Sequence, residues 1–220
     1  MTCIINLPST GFRVLVPFFA DFNRSCLEGI HIDKHPVNGL NLVATNSHIM
    51  GIWHEKNAVV EGEIPESLIV KTQWPECLDR RDHDDEDYPA LTINTHDKTM
   101  RVKNISIDVT FGDVLIDEIY PDWRNCVPSI EDALTESQHG EAINTKYLPL
   151  FRHVMRTVID NVTVEDGALR IFFHKNANSP ALCLMPKVPE FVGVLMPMRD
   201  NNKANWQVNH FNAVMGVQKS

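Results

Sequence analysis

The chain has 220 residues, of which 43% are hydrophobic and 22% charged, and its formal net charge is −9 at pH 7. This composition is ordinary for a soluble globular protein with a substantial core, and the acidic balance counts against nucleic acid as a partner. No apolar run approaches the roughly 20 residues of a membrane helix, and residues 1–6 lack signal-peptide features. Five scattered cysteines argue against a disulfide framework or a zinc ribbon, so we expect a reducing, cytoplasmic location.

The first 55 residues predict a unit of one strand, one helix and then more strands. A turn at residues 8–10 follows the first strand, and apolar residues at helical spacing continue to residue 19. Pro17 lies inside that pattern and should shorten or bend the helix. Asn38-Gly39 is typical of a tight hairpin turn. The predicted strands of this unit are 3–7, 25–33, 40–45 and 49–55.

The same plan repeats twice more along the chain. The second unit has a short helix at residues 71–81 and a polar run at 80–87, and residues 129–140 form the predicted linker. The third unit has a helix at residues 144–156, with Pro149 placed early enough for the first turn. Its Asp166-Gly167 pair suits another tight hairpin. The predicted strands are 67–70, 90–95, 100–105, 107–111, 114–119, 141–144, 162–164, 169–173, 181–185 and 192–195.

Many strands and three short helices predict an α+β protein of repeated βαβββ units with antiparallel sheets. We expect one domain of two units at residues 1–130 and a third, half-domain-like unit at 131–200. A C-terminal tail follows at 201–220, where apolar spacing predicts a packed helix. The alternative is that Gln207 and Phe211 form a Gln-x-x-x-Phe peptide motif, with which the tail would occupy and block a binding groove of its own or a neighbouring chain.

The three helical windows are basic although the chain is acidic. They hold eight basic and only three acidic residues. If the helices share one face, that face could meet phosphates; the alternative is that these are ordinary solvated helix faces. The basic residues are Arg13, Arg24, Lys71, Arg80, Arg81, Lys146, Arg152 and Arg156.

Three short segments, in order along the chain, carry a resemblance to a known family. Residues 42–48, Leu-Val-Ala-Thr-Asn-Ser-His, resemble the Leu-x-Val-Ala-Thr-Asp-Gly-His-Arg stretch of bacterial DNA polymerase III β subunits, the sliding clamps. Residues 120–128, Tyr-Pro-Asp-Trp-Arg-Asn-Cys-Val-Pro, resemble the family's Phe-Pro-Asp-Tyr-Arg-Arg-Val-Leu-Pro segment. Residues 194–199, Val-Leu-Met-Pro-Met-Arg, are similar to its C-terminal Val-Val-Met-Pro-Met-Arg. The resemblance covers most of residues 1–199.

The resemblance implies a non-enzymatic DNA replication accessory protein, a processivity factor that forms a homo-oligomeric ring. Basic helices would line the hole around duplex DNA without sequence preference, and the sheets would lie outside. A hydrophobic groove would bind peptides from DNA polymerase, clamp-loader or repair proteins. The groove positions it implies are Leu27, Thr45, His48, Met50, Pro121, Tyr147, Val194, Met196, Pro197 and Met198. For Leu27 and Val194, plain core packing is the alternative.

The chain also departs from the family pattern. Asn46-Ser47 replaces Asp-Gly, and Asn125 replaces an arginine at the pocket edge. Ser25 and Cys26 stand where the family has two tyrosines. A clamp subunit has six units and the pattern here indicates three, so a ring of the usual size would need four copies. The resemblance thus implies a shortened or divergent member of the family, with a phage origin as one option; the alternative is an interaction or decoy protein that forms no ring.

Two other clusters could hold a metal ion. The acidic run 82–87 could bind a hard cation and support a metal-dependent nuclease, although such runs are more often solvated loops. His31, Asp33 and His35 alternate and would share one strand face, but surface residues near a turn fit them better. No phosphate-binding glycine loop or nucleophile motif is present in the sequence. We therefore expect no catalytic residue, metal or cofactor.

Overall fold

A computed structural model of the chain describes residues 2–19, 24–71, 89–128, 142–159, 167–173 and 179–198. In these residues, strands form two antiparallel sheets and two α-helices pack beside them. The predicted α+β class with antiparallel sheets is therefore confirmed. Within the same residues, no helix is long and apolar enough to cross a membrane.

The larger sheet has eight strands in the order β10-β6-β2-β3-β4-β13-β12-β11. Strand β13 pairs with β4 along its whole length, from Phe191 opposite Trp53 to Leu195 opposite Ile49. One continuous sheet therefore joins the first predicted unit to the third. Its strands are β2 (Gly29–Lys34), β3 (Leu40–Thr45), β4 (Ile49–Glu55), β6 (Leu68–Lys71), β10 (Leu115–Ile116), β11 (Arg170–Phe172), β12 (Ala181–Leu184) and β13 (Phe191–Leu195).

The smaller sheet has five strands in the order β5-β1-β7-β8-β9. Buried residues such as Ile5, Ile93 and Val102 alternate with more exposed ones, as expected for a sheet with one face against the core. Its strands are β1 (Ile4–Pro8), β5 (Val59–Glu61), β7 (Ala90–Asn94), β8 (Thr99–Lys103) and β9 (Asp108–Phe111).

Proline fixes where both helices begin or end. Helix α1 (Thr10–Leu15) gives way to a 3-10 turn at Val16–Phe18, where Pro17 cannot donate to a continuing helix. Helix α2 (Leu148–Val158) carries Pro149 in its first turn, where a missing N–H costs nothing. The helices touch through His153, whose Nε2 donates to the Arg13 carbonyl over 2.8 Å.

The main core lies between the helices and the two sheets. Phe151 of α2 packs edge-on against Phe18 and Phe191, with ring centroids 6.3 Å and 6.2 Å away. Gly193 makes this approach possible, because a Cβ there would lie 2.6 Å from the Phe151 ring. A Cβ on Gly51 would likewise lie 2.7 Å from the Leu15 side chain. Glycines on two neighbouring strands thus let both helices sit close to the sheet.

Several predicted elements differ in the structure. Residues 25–27 form a 3-10 turn, so strand β2 begins only at Gly29. The predicted strand 114–119 is reduced to Leu115–Ile116, and residues 142–144 are not in a strand. Strand β5 was not predicted, because Val59–Glu61 is short and partly exposed. The second helix, the linker 129–140, strand 162–164, the Asp-Gly turn and the tail lie wholly or partly outside the described residues. The division at residue 130 stays a prediction.

Candidate binding groove on the outer sheet face

The eight-stranded sheet has two apolar faces. We call the face under α1 and α2 the helix face, and the opposite one the outer face. Residues such as Leu42 and Trp53 contribute to the main core on the helix face. Their chain neighbours Val43 and Ile52 point the other way, because successive side chains on a strand alternate. The outer face carries a second buried cluster of Leu27, Val43, Met50, Ile52, Ile69, Tyr120, Trp123 and Val194.

Strand register brings the predicted groove residues into neighbouring positions. Thr45 pairs with Met50, and Met50 pairs with Val194, so the three form one row across β3, β4 and β13. Beyond the end of β13, the Met196 amide donates to the His48 carbonyl over 2.8 Å. Met196 is 39% exposed at this end of the row, and Met198, whose amide donates to the Ala142 carbonyl, is 50% exposed. Flexible methionine side chains at the margin of a buried cluster are suited to contact a ligand.

The turn between β3 and β4 positions His48 at the end of this row. The Asn46 Oδ1 accepts the amides of His48 and Ile49, both at 3.0 Å, and Thr45 Oγ1 donates to the Ile49 carbonyl. Ser47 has a φ of 71°, in the left-handed region that glycine adopts without strain. The imidazole of His48 stacks against the Tyr147 ring, with centroids 6.4 Å apart. The exposed His48 and the buried Tyr147 therefore lie next to each other.

An aromatic wall, residues 120–127, borders the outer face on the side of β2. Tyr120 stacks on His31 with ring centroids 4.5 Å apart, and the Tyr120 amide donates to Ser67 Oγ over 3.0 Å. Trp123 opens a 3-10 turn that the Asp122 side chain caps by accepting the Arg124 amide. The wall has little regular structure, so side-chain contacts with the sheet must hold it in place.

Asp33, at the end of strand β2, provides the central contact. Its Oδ2 accepts from Trp123 Nε1 at 3.0 Å and from Arg124 Nη1 at 2.9 Å, and His31 Nε2 lies 3.5 Å away. Although burial pulls the pKa of Asp33 upward, the hydrogen bonds from His31, Arg124 and Trp123 and the Arg124 charge lower this pKa to about 2. Asp33 is therefore an anion that fixes the wall to the sheet. Charge-assisted hydrogen bonds of this kind are among the stronger ones in proteins.

Beneath the wall, three buried polar atoms have no hydrogen-bond partner among the residues that the structure describes. They are His31 Nδ1, the second oxygen of Asp33 and the Tyr120 hydroxyl. Buried polar atoms usually have partners, and those that do not are often found where water or a ligand binds. The outer cluster therefore differs from a purely apolar core. Burial also raises the pKa of Tyr120, so its hydroxyl stays protonated.

The structure brings most of the predicted groove residues together. Leu27, Met50 and Val194 belong to the outer cluster, and Thr45 shares their face. Pro121 is exposed between Tyr120 and Trp123 of the wall. Tyr147 belongs to the main core, and its ring stacks with His48 beside the groove. The role of these residues in peptide binding stays a prediction.

Sequence reasoning missed part of the apolar floor and most of the polar side of the site. The missed floor residues are Val43, Ile52 and Ile69, and Tyr120 and Trp123 form the side. His31 is buried, so the interpretation of His31 as a surface residue near a turn is wrong. The alternation of His31 with Asp33 on a predicted strand was the available signal. It gave no indication that the partners were Tyr120 and Trp123, some ninety residues away.

Only some of the predicted basic residues lie on α-helices in the structure. Arg13 lies in α1, and Arg152 and Arg156 lie one turn apart on the exposed side of α2. Lys71 ends strand β6, on the same face as Ile69, and pairs with Asp113 at 3.1 Å, so its predicted place on a helix is wrong. Arg24 precedes the Ser25–Leu27 turn, and Lys146 lies over the Tyr147 ring. Arg80 and Arg81 are outside the described residues.

The alternative metal sites gain no support from the geometry. His35 stacks on His54, with ring centroids 3.7 Å apart, whereas His31 contacts Asp33. The three residues therefore have different partners. In the part of the chain that the structure describes, no three potential metal ligands cluster. The acidic run 82–87 lies outside that part.

Comparison with solved structures identifies the fold class: the chain has the fold of a bacterial sliding clamp. The β subunit of DNA polymerase III from Borrelia burgdorferi superposes with a TM-score of 0.60 at 18% identity, over 89% of this chain and 64% of that one. The β subunit from Pseudomonas aeruginosa gives 0.61 at 16%, over 90% and 66%. The Bartonella birtlesii clamp, solved with griselimycin bound, gives 0.60 at 16%, over the same shares.

The resemblance inferred from three short segments is thus confirmed at the level of fold. The chain spans about two thirds of the length of the clamp subunits it matches. No protein-family model matches the chain, and no curated protein matches it. Identities of 16–18% leave activity and partners to be argued from the site itself.

Proposed function

We propose that this protein is a non-enzymatic, sliding-clamp-like accessory factor of DNA replication in the cytoplasm. It contacts or encircles duplex DNA without sequence preference as a homo-oligomer. Through the outer-face groove it tethers peptide segments of DNA polymerase, clamp-loader or repair proteins. The observation that carries this proposal is the outer apolar cluster, built from residues of three distant segments on a sheet whose other face is covered by helices.

The groove has the composition expected of a peptide-binding site. Aliphatic side chains of Val43, Met50 and Val194 form a floor, and Trp123 closes one side. Met196 and Met198 offer exposed apolar surface beside it. Apolar anchors supply most of the affinity in such sites, while a few polar groups fix orientation.

The helix side supports contact with a nucleic-acid backbone. Arg152 and Arg156 project from the exposed side of α2, and Lys146 lies just before that helix. Contacts of this kind bind phosphates electrostatically and carry no sequence information. A chain with net charge −9 needs its cations gathered in one place to bind DNA at all.

Peptide binding tests the groove directly. The probe is a fluorescent peptide with the core Gln-Ala-Leu-Leu-Phe, titrated into the full chain by anisotropy. Met196→Glu/Met198→Glu should weaken binding at least about tenfold, because charges would replace apolar contacts. The control Val37→Glu/Val59→Glu alters two exposed valines elsewhere and should leave the affinity unchanged.

Oligomer mass and DNA binding distinguish the clamp from the decoy alternative. A clamp predicts one defined multimer and salt-dependent binding of unrelated duplexes. Arg152→Glu/Arg156→Glu should weaken that binding and make its salt dependence shallower, whereas Arg101→Glu on strand β8 should not. A monomer that binds the peptide but no DNA would instead establish an interaction protein that forms no ring.

A further inference from the structure

The aromatic wall and the strand before it carry mostly negative charge. Residues 115–128 contain three acidic side chains, Asp117, Glu118 and Asp122, and one basic side chain, Arg124. Ser25 Oγ donates to a Glu118 carboxylate oxygen, which places that carboxylate next to the turn that carries Leu27. On that turn Arg24 and Glu28 offset each other in charge.

Arg124 is the wall's cation, and Asp33 neutralises it. The guanidinium Nη1 lies 2.9 Å from Asp33 Oδ2, and the group stacks over the Trp123 ring at 4.3 Å from the centroid. The Arg124 side chain is 49% exposed, so it lies at the margin of the groove with its charge already paired. A guanidinium that is already paired with a carboxylate attracts a ligand carboxylate less strongly than an unpaired guanidinium does.

Asn125 does not supply the missing positive charge. Its Nδ2 donates to Asp122 Oδ2 over 2.8 Å, so the side chain is engaged within the wall. Asp117, Glu118 and Asp122 are exposed, and none of them has an ion-pair partner among the contacts of the described residues. A peptide lying against Trp123 therefore meets net negative charge.

We propose that Asp33 sets the charge preference of the groove: by holding Arg124, it leaves the rim negative and selects peptide segments whose apolar anchors are flanked by Lys or Arg. This inference rests on the proposed peptide-binding function of the groove. Asp33 is a positioning residue here, since it acts through Arg124 and Trp123 and not by contact with the ligand. Charge complementarity at an exposed rim governs specificity and association rate more than total affinity.

Two probe peptides test the preference in the full chain. Both have the core Gln-Ala-Leu-Leu-Phe, one with two lysines before it and one with two glutamates. The wild-type protein should bind the lysine peptide about tenfold more tightly at low salt, because several surface charge pairs each contribute a fraction of a kcal/mol. The ratio of the affinity for the lysine peptide to the affinity for the glutamate peptide should shrink in high salt, where exposed charges are screened.

Two substitutions move the ratio in opposite directions. Asp33→Asn keeps an acceptor for Trp123 but releases Arg124, so the ratio should fall to about one or reverse. Arg124→Met removes the cation while Asp33 keeps Trp123 and His31, so the ratio should rise above the wild-type value. Asp108→Asn is the matched control, because it breaks another Asp–Arg pair, with Arg101 in the smaller sheet. It should leave the ratio unchanged.

The outcomes separate this inference from the function on which it rests. If both peptides bind and the ratio is near one in all four proteins, the charge preference is overturned while the groove stands. If neither peptide binds the wild-type protein, the groove itself fails and the preference fails with it. If Asp33→Asn does not fold, the response to Arg124→Met decides, and an unchanged ratio there contradicts the inference.

Discussion

The two faces of the eight-stranded sheet both bury apolar side chains but differ in what lies beside them. On the helix face, Phe18, Phe151 and Phe191 interlock, and glycines in β4 and β13 let the helices approach. On the outer face, three buried polar atoms have no hydrogen-bond partner among the described residues, and Met196, just beyond β13, is exposed. Burial alone therefore does not distinguish a folding core from a binding surface. The exposed apolar margin beside the outer cluster is the feature that supports the proposed binding role of that face.

The largest expected effect comes from breaking the helix face. Phe151→Ala should reduce the free energy of unfolding by about 3–5 kcal/mol, because it opens a cavity among three packed aromatic rings. Urea denaturation of the full chain measures this change.

Met196→Ala is the matched test on the outer margin. Met196 is partly exposed, so its truncation should cost less than about 1 kcal/mol in stability while weakening peptide binding. If Phe151→Ala and Met196→Ala destabilised the fold equally, the distinction between the helix face as a folding core and the outer face as a binding surface would be wrong.

A smaller, stabilising effect is expected in the turn that presents His48. Ser47→Gly should raise the free energy of unfolding by about 0.5–1 kcal/mol, because φ is 71° there and glycine adopts that conformation without strain. Ser106→Gly, in the turn after β8, is the control, since Ser106 does not have a positive φ and should gain nothing. Thermal unfolding of both variants provides the measurement, and equal shifts would argue against strain at Ser47.

A pH-dependent effect is expected in the acid stability of the aromatic wall. The pKa of Asp33 is about 2 in the folded state, below its ordinary value of 3.8, so its contribution is fully present above about pH 4. That contribution is lost as the pH falls from 4 through 2. The stability difference between the wild type and Asp33→Asn should therefore shrink over this range in thermal scans. Parallel curves down to pH 2 would contradict the role of the Asp33 charge.

The sequence predicted the parts of the fold that local chemistry decides. The bounds of β3 and β4 follow from apolar runs on either side of the Asn46 turn, and Gly39 has the positive φ that a tight turn after Asn38 demands. Pro17 and Pro149 act where proline must act in a helix. The three motif segments, which contribute β3, the wall and the end of β13, also led to the correct fold class through their resemblance to clamp sequences.

Long-range partners could not be predicted from the same patterns. Whether Lys71 continues a helix or ends a strand depends on its pairing opposite Gly29. The burial of His31 depends on Tyr120, and the position of Trp123 depends on Asp33. No local periodicity encodes these contacts, which is why the polar side of the groove was missed while Leu27, Met50 and Val194 of its apolar floor were anticipated.

Methionine methyl NMR tests the central claim most directly, because methionines lie on both sides of the sheet. Met50, Met196 and Met198 are on or beside the outer face, and Met100, Met155 and Met185 belong to the main core. Titrating the full chain with the Gln-Ala-Leu-Leu-Phe peptide should shift the first three methyl signals and leave the other three in place. Shifts at Met155 and Met185 without shifts at Met50, or no shift at saturating peptide, would contradict a groove on the outer face.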